Sequence, residues 1–134
     1  MKILSTLCIL LLCLSFTVLA TTKYNGLLCN KKWYGVKYID TNGKPHDISR
    51  KQANDYMVYA ANGNFVAKRE LRMPVYGKWS FNDTTKELTV TQTTEPSSPA
   101  TSVWTIANID ETHLVLKIKN ASGKELTFYY EAKK

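Results

Sequence analysis

From Trp79 to the end of the chain, apolar residues recur at every second position, stretch after stretch. The pairs and triplets are Trp79 and Phe81, Leu88 and Val90, Trp104 and Ile106, Leu114, Leu116 and Ile118, and Leu126, Phe128 and Tyr130. A spacing of two places side chains on one face of an extended strand, so each set asks to be buried on a single side. Turn-forming clusters separate the sets: Asn82 to Lys86, the loop "EPSSPA", Asp110-Glu111-Thr112 and "NASGK". Short strands joined by short turns pair antiparallel, and their apolar faces share one interior. That interior has two readings, a packed β core or the wall of a ligand cavity.

The first half of the chain follows the same plan. "KWYGVKYI" (Lys32 to Ile39) precedes the turn-like "DTNGKP", and Asp55 to Ala61 meets Asn62-Gly63, a tight hairpin signal, before Asn64 to Leu71 runs back. Arg72-Met73-Pro74 is expected to break that run ahead of Val75 to Phe81. The pattern predicts an all-β fold of about eight antiparallel strands, wound up and down and closed into a barrel so that no edge is left exposed. One segment, Ile48 to Asp55, reads as a short helix between the first two strands. The first strand is ambiguous: Trp33, Gly35 and Ile39 fall on one face, and Tyr34, Val36 and Tyr38 on the other.

Met1-Lys2 followed by the apolar run Ile3 to Ala20 reads as a signal peptide cleaved before Thr21, with small residues at Val18 and Ala20 suiting the peptidase. Export to the periplasm or beyond is the expectation, with no stable membrane insertion after cleavage. Removing 20 of 134 residues leaves 114, one domain spanning 21–134. Cys8 and Cys13 depart with the signal, so only Cys29 remains and no internal disulfide can form. Cys29 is expected to be a small buried apolar residue. The formal charge of +7 falls to +6 without Lys2. Lys68, Arg69, Arg72 and Lys78 lie close in sequence, yet no arginine-rich run or aromatic-basic interleaving occurs, which argues against nucleic-acid binding. A salt-sensitive attraction to acidic glycans or anionic lipid headgroups stays open.

The chain resembles the small bacterial lipocalin-like domains of exported proteins. The likeness rests on a first strand with a tryptophan ("KKWYGVKYI"), the pair "YAANGNFVAKRE", "YGKWSFNDTTKELTV", "WTIANIDETHLVLKI" and the closing "ELTFYYEA". It implies an up-and-down β-barrel without catalytic residues.

Chemistry-bearing residues are sparse. His46 beside Asp47 and His113 after Asp110-Glu111 each pair a base with a carboxylate, but both sit in turns and neither has a nucleophile motif nearby. The donors are too few for a metal site, and there is no phosphate loop, so neither enzyme activity nor a cofactor is expected. Asn82-Asp83-Thr84 and Asn120-Ala121-Ser122 match glycosylation patterns and equally well match turns. The expected role is binding a small hydrophobic or amphipathic molecule. Candidate contacts in the interior or at its mouth are Trp33, Tyr38, Tyr56, Tyr76, Trp79, Phe81, Trp104, Phe128 and Tyr130. Tyrosines that alternate along strands are also ordinary half-buried sheet residues. The alternative is a protein-interaction or inhibitor module that uses "EPSSPA" and the basic hairpin from Lys68 to Lys78. Gly77, beside two large rings, is expected to let the sheet bend rather than to leave the rings space, so a cavity should lie away from it.

Overall fold

The computed structural model describes residues 22–49, 53–94 and 99–133. Helix α1 (Thr22–Leu28) comes first, then β1 (Lys32–Ile39), β2 (Pro45–Asp47), β3 (Tyr56–Tyr59), β4 (Asn64–Arg69), β5 (Arg72–Asn82), β6 (Glu87–Gln92), β7 (Ala100–Ile109), β8 (His113–Lys119) and β9 (Glu125–Lys133). From β3 to β9 each strand pairs antiparallel with the next. β1 pairs with β9 along its whole length, from Lys32↔Lys133 to Ile39↔Thr127. That pairing closes an eight-stranded barrel, and β2 is a ninth, short strand outside the ring order.

The second edge of β1 is shared. Its start pairs with β3 (Trp33↔Met57, Tyr34↔Tyr56) and its end with β2 (Lys37↔Asp47 to Ile39↔Pro45). Between the two, the Val36 carbonyl accepts from the Ile48 N–H at 3.0 Å. Among the described residues, no strand is paired to β1 on that edge at Gly35.

Register bears out the interior read from the alternation. Trp79 opposes Val90, Phe81 opposes Leu88, Leu88 opposes Trp104, Ile106 opposes Leu116, and Leu114 opposes Tyr130. Where the alternation fails, an extra residue corrects it. In β1 the register shifts between Gly35 and Lys37, so Trp33, Gly35 and Tyr38 oppose Ala132, Tyr130 and Phe128 on one face. The ambiguous first strand is thus a bulged one, and Tyr38 rather than Ile39 shares the face of Trp33. A second shift, between Ile106 and Asn108, returns Ile109 to the core beside Leu114.

Two sequence expectations meet a different local structure. Arg72-Met73-Pro74 does not break the strand, because β5 begins at Arg72 and the turn is confined to Glu70 and Leu71. Proline is tolerated there because β6 pairs with β5 only from Gly77 onward, and among the described residues no ladder partner reaches that edge at Pro74. The helix precedes β1 instead of following it. In the segment from Ile48 to Asp55, Ile48–Ser49 and Ala53–Asp55 are not helical, and residues 50–52 lie outside the described residues. The signal peptide and its cleavage point also lie outside the described residues.

The packed core gathers at the α1 end. Leu28, Trp33, Tyr59, Leu88, Leu114 and Leu116 are almost wholly buried there, with Phe65 and Val90 beside them. The Trp33 indole donates to the Leu28 carbonyl at 3.0 Å, and the Asn30 N–H donates to the Tyr59 carbonyl at 3.0 Å. These bonds seat the helix as a plug across that end. Cys29 is buried beside Tyr59, and burial pushes its thiol pKa up. Five of the turns use one device: Asp40, Asn62, Asn82, Asp110 and Asn120 each accept from the backbone N–H two residues on.

Gly77 is where β5 and β6 approach too closely for a side chain. A Cβ there would sit 2.3 Å from the Thr91 carbonyl oxygen and 3.1 Å from the Gln92 Cα. Gly77→Ala must push backbone apart and should destabilise by about 1–3 kcal/mol. Gly26 lies within α1 with nothing within 4 Å of an added Cβ, so Gly26→Ala should stabilise by about 0.5–1 kcal/mol. Urea unfolding of the two variants should give shifts of opposite sign.

Candidate functional site

Among the described residues, a concavity opens at each end of the barrel. The first, about 620 Å³, lies where β1 parts from β3 and reaches inward past Gly35. Its floor is Trp33, Met57, Ala67, Phe128 and Tyr130, and Ile48 forms one side. The pairings Trp33↔Met57, Met57↔Ala67 and Gly35↔Tyr130 put these residues on the interior face. Gly35 keeps the floor open: a Cβ there would already touch Ile48 at 3.5 Å and Tyr130 at 3.8 Å. The rim is charged, with Lys37, Lys68, Arg69 and Arg72 against Asp55. An apolar floor beneath a mostly cationic rim can hold an apolar chain and leave a polar end at the mouth.

The second concavity, about 680 Å³, lies between α1 and the β5–β6 turn. Most of its lining is surface polar, including Lys23, Asn25, Asp83 and Lys86, and its rings are engaged already. Tyr24 packs on Phe81 at 4.9 Å between ring centres, and Lys86 sits 4.4 Å over the Tyr24 ring. It is an outer groove whose apolar atoms belong to the seat of the helix.

The candidate residues divide among these surroundings. Trp33, Phe128, Tyr130 and the lip residue Tyr56 border the first pocket. The Tyr56 ring packs against Tyr34 at 5.5 Å and carries Lys32 at 4.9 Å. Tyr38 lies farther along the interior, stacked between His46 at 4.8 Å and Phe128 at 5.7 Å. Trp104 meets Phe128 edge-on at 5.5 Å, and its indole donates to the Ser102 hydroxyl at 3.0 Å. Trp79 and Phe81 belong to the α1 end, where the Trp79 indole donates to the Ala60 carbonyl at 2.8 Å. Tyr76 stands on the outer face, half exposed, as alternation from the inward Gly77 requires. Gly77 borders neither pocket.

Gly35, Ile48, Met57 and Ala67 went unnoticed in the sequence because each is unremarkable by residue type. At the rim, the basic run at Lys68 to Arg72 was visible in the sequence. The loop "EPSSPA" falls largely outside the described residues.

Burial raises the phenol pKa of Tyr130, so it enters the pocket as a neutral hydroxyl. His46 Nε2 lies 2.7 Å from Asp40 Oδ2, a contact that pins β2 to β1, and His113 Nδ1 lies 3.3 Å from Asp110 Oδ1 on an exposed turn. Neither histidine borders either of these two concavities. Among the described residues no group of three or more His, Cys, Asp or Glu is placed to hold a metal.

Solved structures share this barrel. A lipocalin-like protein from Bacteroides uniformis matches with a TM-score of 0.58 at 14% identity, over 78% of this chain and 96% of that one. An uncharacterized protein from Bacteroides eggerthii matches at 0.57 and 13% identity, over 77% and 98%. A DUF4847 family protein from Bacteroides vulgatus matches at 0.58 and 12% identity, over 83% and 98%. The fold is therefore lipocalin-like, as the sequence resemblance implies. No family model and no curated protein matches the chain.

The hydrogen bond from His46, followed by the Lys44 N–H, holds the Asp40 carboxyl down at about 2 from an ordinary 3.8. A lowered carboxyl stabilises the fold above its unfolded value and loses that contribution as pH falls from about 4 through about 2. Asp110 is lowered too, by the Thr112 and His113 N–H groups. Asp40→Asn should therefore remove part, and not all, of the fall in melting temperature between pH 4 and pH 2.

Proposed function

We propose that the protein is an exported, non-enzymatic binder of a small hydrophobic or amphipathic molecule, held in the pocket beside Gly35. One observation carries the reading: an apolar pocket of about 620 Å³ persists in a barrel whose other end is filled. That volume falls within the roughly 300–1,000 Å³ of small-molecule sites. Met57, Ala67, Phe128 and Tyr130 supply apolar contact above the buried Trp33, and the rim supplies partners for a polar end. Affinity would come from removing apolar surface from water, at about 0.8 kcal/mol per buried methylene. Export agrees with the N-terminal run from Ile3 to Ala20, and with a carrier that meets apolar molecules outside the cytoplasm.

Trp33 lies buried directly beneath the pocket, so a ligand there changes the surroundings of its indole and binding is readable in tryptophan emission. Titration with laurate and with dodecanol should give saturable changes for the unaltered protein. Gly35→Leu, which projects into the floor, should weaken both by tenfold or more while the fold is retained. Native mass spectrometry of protein from its own host should also show a bound small molecule. Absence of any saturable response, or equal binding by a folded Gly35→Leu variant, would remove this reading.

A further inference from the structure

The β4–β5 hairpin ends in a feature that the barrel does not need. Leu71 is 74% exposed and Met73 is 83% exposed, the largest values among the exposed large hydrophobic residues. Both lie within one turn and its first strand residues, outside the interior. Lys68, Arg69 and Arg72 flank them and make no ion pair among the described residues. Two acids stand close by. Asp55 Oδ1 accepts the Glu70 N–H at 2.9 Å, and Glu70 Oε2 accepts from the Asn54 amide at 3.2 Å. Those bonds tie the hairpin to the start of β3 and hold the tip as a fixed projection. Even with both acids counted, the tip keeps an excess of positive charge, and Lys37 adds to it across the pocket mouth.

We propose that this hairpin docks the barrel onto an anionic phospholipid bilayer, with Leu71 and Met73 entering the interface and Lys68, Arg69 and Arg72 meeting lipid phosphates. The chemistry matches at both levels. A leucine and a methionine in water bury nothing, whereas the headgroup–acyl boundary takes up single apolar side chains. Basic side chains held near an anionic leaflet add to that attraction one by one. A protein partner fits the tip less well, because a stable interface buries about 800 Å² on each side and two projecting side chains offer no such area.

The position of the tip gives the docking a consequence. Lys68, Arg69, Leu71 and Arg72 border the first pocket, so a docked hairpin turns the mouth of that pocket toward the lipid. An apolar molecule would pass between bilayer and barrel with little exposure to water. The docking itself does not require the pocket to hold a ligand.

Residues 21–134, which contain the whole closed barrel, allow the test without the apolar N-terminal run. Co-sedimentation with vesicles of phosphatidylglycerol and phosphatidylcholine should show binding that weakens as salt rises, and little binding to phosphatidylcholine alone. Leu71→Ser/Met73→Ser and Lys68→Gln/Arg69→Gln/Arg72→Gln should each lose binding without lowering the melting temperature. The triple variant should lose on the order of 100-fold, at about fivefold for each cation removed. An environment-sensitive dye attached through Met73→Cys should brighten on the anionic vesicles, and one attached through Thr84→Cys, at the α1 end, should not. No binding to anionic vesicles at low salt would overturn the proposal. So would undiminished binding by both variants, or a response from the Thr84 position alone.

Discussion

The pairing of β1 with β9 is the contact on which the rest of this structure depends. It runs the full length of β1 and turns an open meander into a ring with no exposed long edge. The pairing holds only because β1 carries one extra residue between Gly35 and Lys37. Without that bulge, Trp33 and Tyr38 would face opposite sides, and one large ring would be forced out of the interior. With it, both share the face of Phe128 and Tyr130, and the strand bends as ring closure demands.

The same bend opens the pocket. β1 leaves β3 after two paired residues and meets β2 only from Lys37 onward, so among the described residues no strand crosses the wall beside Gly35. The other end takes the opposite course. There α1 lies across the opening, bonded through Trp33 and packed through Leu28, and the interior beneath it is filled. One barrel thus has a stoppered end that supplies stability and a loosened end that supplies space. The exposed Leu71 and Met73 project beside the loosened end.

Much of this was legible before the structure. The two-residue spacing from Trp79 onward named the interior face of five strands, and Asn62-Gly63 and the Asp- or Asn-led turns marked the hairpins. Those signals are local, which is why they can be read. The bulge in β1 was not legible, since it shows in sequence only as two rival faces, and only the partner strand decides between them. Helix α1 escaped for a related reason: "TKYNGLL" has a mid-helix glycine and no helical stripe, and its stability comes from capping the barrel. Pro74 misled because proline excludes a strand only when both edges are paired. The pocket floor was half visible, as Trp33, Phe128 and Tyr130 stood out by size, whereas Gly35 and Ala67 contribute by being small.

The central claim is that the usable space lies beside Gly35 and not under α1. Isotope-filtered NMR with laurate tests it most directly, by recording which side chains lie within about 5 Å of the alkyl chain. The account predicts contacts from the chain to Trp33, Met57 and Tyr130 and none to Tyr24 or Phe81. Contacts to Tyr24 and Phe81, with none to the floor of the Gly35 pocket, would contradict it.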